Sequence, residues 1–259
     1  MERFLIQKEN GKQIPCIAQL PRDCEKAVII IHGIASSKEG ENAQFMLKAF
    51  AEKGYGAIAY DQPGHGSEEA AEEELCLENC LDSLEAVEQF VRKNCPKAEI
   101  CYFGSSFGGY VLGLYLQKRA HAGSKAFMRS CAVIFPQLVL GQDVYAEPDP
   151  AVLEVLDRQG YIAATIDGNQ VRFTKRFLEE LKENSMVELY RNALPEQTQL
   201  CFVHGEKDIV VPLQPIRAFA EKCGYPITVF PGEGHSINTD PASPRRVAEL
   251  AARFFESLN

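Results

Sequence analysis

Two adjacent serines stand between glycines in CYFGSSFGGY, residues 101–110, directly after a short apolar run. Serine becomes a nucleophile when a general base takes its proton and a third group orients that base. The spacing Gly-x-Ser-x-Gly sets the register. With Gly104 and Gly108 as its ends the central residue is Ser106, whereas centring on Ser105 puts phenylalanine at 103 and 107. A nucleophile on a tight strand-to-helix turn needs room two residues away on either side. The helix N-terminus that follows offers N–H groups and a positive dipole end to a developing anion. Taken alone, the motif fits a structural Gly/Ser turn equally well.

Five histidines compete to be the base. His32 and His204 follow apolar runs in His-Gly pairs and read as braces of their loops. His65, in PGHG, reads as holding a turn, and His121 as solvated after a helix. His235 lies in PGEGHSI after the apolar run ITVF, and Asp208 in HGEKDIVVP after QLCFV, with Glu206 as a rival acid two residues earlier. In a parallel sheet, loops beyond the strand ends share one edge, where ligands bind in open α/β folds. Ser106, Asp208 and His235 converge there if the chain folds that way. Cys101 sits inside a strand and lacks the elbow, and Lys38 reads as a solvated loop lysine, with contact to a ligand at the rim of the site as the alternative.

The elements that must position these residues are visible as alternating patterns. FLIQKENGKQIPCIAQL holds two extended runs around Asn10-Gly11, a hairpin signal. AVIII (27–31) reads as a strand buried on both faces. A helix over 41–53 follows, stopping at Gly54, then strand 55–60, a helix through 81–93 and strand 99–103. A helix from Phe107, strands at 131–135, 199–203 and 227–230, and a last helix from Ser243 to Leu258 complete the series. The alternation predicts an α/β fold with a mostly parallel eight-stranded sheet flanked by helices.

The interval from Phe135 to Gln199 is too long for one crossover. It carries its own helix (AVLEVLDRQG), a hairpin around Asp167-Gly168 and a second helix (KRFLEELKEN). Residues 137–197 therefore read as a cap inserted between core segments 1–136 and 198–259. Tyr145, Tyr161, Ile162 and Phe173 supply the cap's apolar lining or its own small core. The acidic run 68–78 reads as a solvated helix or loop.

The motifs HGIASS (32–37), DQPGHGS (61–67), GSSFG (104–108), HGEKDIVVP (204–212) and GEGHSI (232–237) resemble those of the α/β-hydrolase superfamily over essentially the whole chain. The chain is most similar to small capped serine hydrolases, including bacterial cinnamoyl/feruloyl-type carboxylesterases. The resemblance implies a Ser106–His235–Asp208 triad, the acid being the carboxylate just before the apolar-proline stretch. It also implies an oxyanion hole from the backbone N–H groups of Ile34 and Phe107, although many esterases have a longer glycine run than the single Gly33 here. It implies polar cap groups that recognise a phenolic hydroxyl; Gln137, Asp143 and Tyr145 are the candidates, with hydrogen bonding inside the cap as the alternative.

The implied activity is hydrolysis of carboxylic esters, possible substrates being aryl or hydroxycinnamoyl esters, with no metal or organic cofactor. An aminopeptidase-like amidase and a thioesterase or acyltransferase share the same machinery. Glu147 and Asp149 are the acidic pair an amidase would turn toward a substrate amine. A non-catalytic binding protein would be expected to have lost part of the triad.

Composition limits the rest. A net charge of −9 argues against nucleic acid or an anionic membrane as partner. No apolar run reaches the ~18 residues of a membrane-spanning helix, and MERFLIQKEN is too short in apolar residues for a signal peptide. Together these give an expectation of a cytoplasmic enzyme of a small-molecule ester. Nine cysteines, an odd number scattered through apolar runs, show neither Cys-x-x-Cys nor zinc spacing. Cys76 and Cys80 alone make half a metal site.

Overall fold

The computed structural model describes residues 1–71, 73–132, 150–166, 168–192 and 197–257. The chain runs β1 (Glu2–Gln7), β2 (Gln13–Gln19), β3 (Lys26–Ile31), α1 (Glu41–Glu52), β4 (Gly56–Tyr60), α2 (Glu68–Ala71), α3 (Leu77–Asn94), β5 (Glu99–Ser105), α4 (Phe107–Lys118) and β6 (Gly123–Arg129). It continues with α5 (Pro150–Gln159), β7 (Tyr161–Ile166), β8 (Asn169–Thr174), α6 (Lys175–Glu183), α7 (Met186–Asn192), β9 (Gln199–Gly205), α8 (Leu213–Cys223), β10 (Ile227–Phe230) and α9 (Ser243–Glu256).

Eight strands form one sheet in the order β1-β2-β4-β3-β5-β6-β9-β10. β2 pairs antiparallel with β1 and β4, and every other pairing is parallel. Helices cover both faces, which explains why β3 is apolar at consecutive positions. Val28 and Ile30 join Phe50, Phe103, Phe127, Val247 and Phe255 beneath α1 and α9. Ile29 and Ile31 join Leu84, Val111 and Leu112 beneath α3 and α4. Each such side chain, fully buried, contributes about 1.5–3 kcal/mol. Among the described residues no helix is long and apolar enough to cross a membrane.

β6 departs from the sequence reading, which put a strand at 131–135. The paired segment is GSKAFMR, and its two cations hide it from a pattern search. Lys125 is buried, its ammonium donating to Phe255 O at 3.2 Å and to Ser257 O, so it ties the end of α9 to the sheet. Cys131 and Ala132 lie beyond the strand end, and 133–135 lie outside the described residues. α3 starts at Leu77 rather than 81, and the acidic run divides into α2 and the approach to α3.

Between β6 and β9 the described residues include the two-stranded sheet β7–β8, paired from Tyr161↔Thr174 to Ile166↔Asn169 apart from the main sheet. Thr174 caps α6 by accepting from Phe177 N–H at 3.1 Å. Phe173 is fully buried and stacks on Phe177, which meets Phe107 edge-on at 5.8 Å. Phe173 thus belongs to the core. Glu180 accepts from Leu77 N–H at 2.5 Å, and Tyr190 donates to Gly113 O at 3.1 Å. These contacts fix α6 and α7 against α3 and α4.

Candidate active site

Ser106 occupies the turn between β5 and α4 with φ 52° and ψ −117°. A positive φ costs a residue with a Cβ about 1–3 kcal/mol and persists where its surroundings hold it. Here Ser106 N–H donates to Arg129 O at 2.9 Å, while Ser106 O accepts from Gly109 and Tyr110 N–H at 3.0 and 3.2 Å. The flanking glycines let the turn sit close. A Cβ on Gly104 would stand 2.8 Å from Gly109 Cα, and one on Gly108 would collide with the carbonyls of Ile31 and His32. Ser105 faces elsewhere, its Oγ accepting from Arg129 Nε at 3.1 Å.

Asp208 follows β9. Its Oδ1 accepts from Val210 and Val211 N–H at 2.9 and 2.8 Å, leaving Oδ2 for His235 Nδ1 at 2.8 Å. His204 Nε2 also lies 3.3 Å from Oδ2 and 2.8 Å from Val211 O. Burial opposes ionisation of Asp208. The hydrogen bonds from His204, His235 and the Val211 amide outweigh it, so its pKa falls below the usual carboxylate range. Glu206 is engaged elsewhere, accepting from Gly232 N–H at 2.9 Å.

His235 follows β10, in a turn closed by Ile237 N–H to Gly234 O at 3.2 Å. Glu233 fixes the chain beyond, accepting from Thr239 and Asp240 N–H at 2.8 and 2.9 Å. The turn places His235 Nε2 2.9 Å from Ser106 Oγ. The structure thus brings Ser106, His235 and Asp208 into one hydrogen-bonded chain. With Nδ1–H donated to Asp208, the ring presents the Nε2 lone pair to the serine hydroxyl.

Ile34 lies in a turn after β3, closed by Ser36 N–H to Gly33 O at 3.3 Å, with Ala35 at φ 55°. A Cβ on Gly33 would lie 3.3 Å from Ser106 Cβ, so this turn passes beside Ser106, and Phe107 opens α4 directly after it. His32 braces the turn: its Nδ1 donates to Gly33 O at 2.7 Å and its Nε2 accepts from Gln62 N–H at 3.0 Å. His65 Nδ1 donates to Pro63 O at 2.8 Å. Lys38 differs from the solvated lysine expected, because its ammonium is buried against Asp61 at 2.7 Å and Ser67 at 2.7 Å. His121 is half-buried beside Tyr102 and Tyr115. A cleft of about 510 Å³ opens between Ala35–Lys38, His65–Ser67 and hairpin residues Asn169 and Gln170. It flanks the turn and is not lined by Ser106.

Burial lowers the pKa of His32, and burial with His32 alongside pushes that of His65 down to about 3. Both folded values lie below the unfolded value of ~6.5. Their stabilisation is complete above pH ~6.5 and is lost as pH falls toward the folded values. His65 then contributes a slope approaching roughly 1.4 kcal/mol per pH unit, and His32 adds to it in the same direction. Urea midpoints should therefore fall steadily from pH 6.5 to 5, and less steeply in His65→Asn. A flat profile over that range would show that these rings protonate freely in the folded protein.

Sequence reasoning missed Arg129, Ser130 and Asn42, which lie behind the triad. Their signal is faint: one cation ending an apolar stretch before small residues. Gln137, Asp143 and Tyr145, with Glu147 and Asp149, lie outside the described residues. Among the described residues no group of three or more His, Cys, Asp or Glu side chains could hold a metal ion, and Cys76 and Cys80 are free buried thiols.

The chain matches the family model described as "Serine aminopeptidase, S33" over residues 22–158, more than half its length. It is similar in structure to Est1E from Butyrivibrio proteoclasticus with bound ferulic acid, at TM-score 0.79 and 19% identity, over 98% of this chain and 100% of that one. It is also similar to mouse alpha/beta hydrolase domain-containing protein 10, at 0.76 and 15%, over 100% of both chains. A third is a highly thermostable carboxyl esterase from Bacillus coagulans in complex with glycerol, at 0.76 and 16%, over 98% of this chain and 97% of that one. Comparison with curated protein sequences gives no match. At these identities the solved structures speak for the fold, which the strand order and the elbow after β5 share, and the matched segment contains that elbow: the chain belongs to the serine aminopeptidase S33 family of α/β-hydrolases.

Proposed function

We propose that this hydrolase cleaves carboxylic esters through an acyl-enzyme on Ser106. The observation that carries the reading is the chain from Ser106 Oγ through His235 to Asp208, at 2.9 and 2.8 Å. His235 Nε2 takes the hydroxyl proton as Oγ attacks the ester carbonyl. Asp208 holds the Nδ1–H tautomer and stabilises the imidazolium. The N–H groups of Ile34 and Phe107 receive the oxyanion, a contribution of ~10²–10³ in rate where one donor has been removed elsewhere. His235 then protonates the departing alcohol and activates water for deacylation.

The family description also names peptidase chemistry. An aminopeptidase needs a carboxylate for the substrate's ammonium group. In the cleft beside the Ile34 turn Glu39 is bound to Arg3 and Asp61 to Lys38. Both carboxylates already have cations, so among the described residues this cleft offers no uncommitted carboxylate to an ammonium group; Glu147 and Asp149 lie outside the described residues. The ferulic acid bound to Est1E makes hydroxycinnamoyl esters the first class to assay.

Residues 137–197 form the proposed cap that selects substrate, with hairpin residues Asn169 and Gln170 bordering the cleft. The decisive experiment sets purified protein against short-chain aryl esters, hydroxycinnamate esters, thioesters and aminoacyl amides. Turnover of amides above esters would reverse the assignment. In the same panel, Gln170→Ala and Tyr161→Ala should redistribute kcat/KM among esters by ~10–200-fold, while fluorophosphonate labelling persists. Labelling lost in proportion to activity in folded variants would place the hairpin in the catalytic apparatus instead.

A further inference from the structure

The end of β6 touches both halves of the reacting pair. Arg129 O accepts from Ser106 N–H at 2.9 Å, so its main chain holds the elbow. Its guanidinium donates to three oxygens on three different elements: Ser105 Oγ at 3.1 Å, Asn42 Oδ1 of α1 at 2.9 Å, and Ser236 O at 2.6 Å. The last is the carbonyl immediately after His235. Ser130, the next residue, donates from Oγ to His235 O at 2.7 Å, and does so from a positive φ of 47°. Two consecutive residues thus grip two consecutive carbonyls of the histidine loop.

The guanidinium is nearly inaccessible, and every hydrogen bond the structure gives it ends on a neutral oxygen. Burying a cation without a hydrogen-bonded carboxylate is costly, and an apolar side chain of similar length would fill the space with less desolvation. What methionine could not supply is a rigid planar fork that fixes three acceptors at set directions. Ser106 Oγ and His235 Nε2 come from the turn after β5 and from the loop after the edge strand β10, with β6 and β9 between those strands. Their separation depends on whatever joins those two loops across the strand ends. The group found there is Arg129.

We propose that Arg129 is a positioning residue that sets the Ser106–His235 distance by clamping the elbow to the histidine loop. It touches no reacting atom. The assignment rests on the serine-hydrolase reading above.

The test compares wild type, Arg129→Met and Arg129→Lys in steady-state turnover of an aryl ester, rate of fluorophosphonate labelling, thermal melting and the proton resonance of the His235–Asp208 hydrogen bond. A misplacement of about 1 Å costs on the order of 10²-fold. Arg129→Met should lower kcat and the labelling rate together by ~10–100-fold, leave KM within about twofold, and shift the His235 resonance. Arg129→Lys should recover part of the rate, because one ammonium can reach some of the three acceptors. A folded Arg129→Met with wild-type kcat and labelling, whatever its melting temperature, overturns the assignment. Should that variant not fold, the double variant Ser105→Ala/Asn42→Ala carries the test: it removes two acceptors and keeps the cation. Slower labelling at unchanged KM supports the clamp, and wild-type rates overturn it. Labelling of wild type that vanishes in Ser106→Ala secures the underlying reading independently. If wild type does not label at all, that reading fails first.

Discussion

Ser106→Ala should lower kcat by ~10⁶-fold and abolish labelling by a fluorophosphonate, whereas Ser105→Ala should still label. The two hydroxyls are neighbours in sequence and have different surroundings. Ser106 Oγ lies 2.9 Å from an imidazole nitrogen, while Ser105 Oγ accepts from a guanidinium. A hydroxyl accepting from a cation has no base to take its proton. The variant removes one oxygen and leaves the strained turn with a Cβ, so the fold should persist and the loss should fall on chemistry alone. Mass spectrometry of the labelled protein decides it: an adduct on Ser106→Ala means that the nucleophile lies elsewhere.

Asp208→Asn should cost kcat ~10⁴-fold with the protein still folded at pH 8. The loop geometry shows why. Oδ1 is committed to the Val210 and Val211 amides, so the amide variant must keep its oxygen there. Its NH₂ group then faces His235 Nδ1 and His204 Nε2, where Oδ2 now accepts. His235 can satisfy that NH₂ only by moving its own proton to Nε2, which turns the base toward Ser106 as a donor. The depressed pKa of Asp208 adds a second consequence. Its stabilisation is full above the unfolded carboxylate value of ~3.9 and is lost as pH falls below it, so the variant should narrow its stability gap to wild type at the acid end. Kinetics at pH 8 and urea melts at descending pH test the two parts separately. Wild-type kcat in Asp208→Asn would remove the carboxylate from the mechanism.

The convergence of Ser106, His235 and Asp208 is legible in the sequence because each sits in a short motif next to an apolar run, and the loops of a parallel sheet share an edge. The sheet's extent is legible for a similar reason: β3, β4, β5, β9 and β10 are apolar stretches bounded by turn residues. β6 is not. Its Lys125 and Arg129 are buried by specific oxygens distant in sequence, from Asn42 to Ser257, and a pattern of residue types carries no record of those partners. Lys38 misleads in the same way, since nothing local announces that Asp61 will neutralise it. Charges that are buried by partners far along the chain are where single-sequence reading stops.

The position of β10 at the edge of the sheet carries a consequence for biosynthesis. Ser106 follows the central strand β5, but His235 follows β10, the last strand among the described residues, and α9, packed on α1, is later still. A chain that has grown only as far as β6 lacks the imidazole that faces Ser106 Oγ in the folded protein. Residues 227–237 must clear the ribosome, and β10 must dock on β9, before the hydroxyl becomes reactive. On the proposed mechanism, a chain truncated before His235 would therefore carry Ser106 without the imidazole that takes its proton.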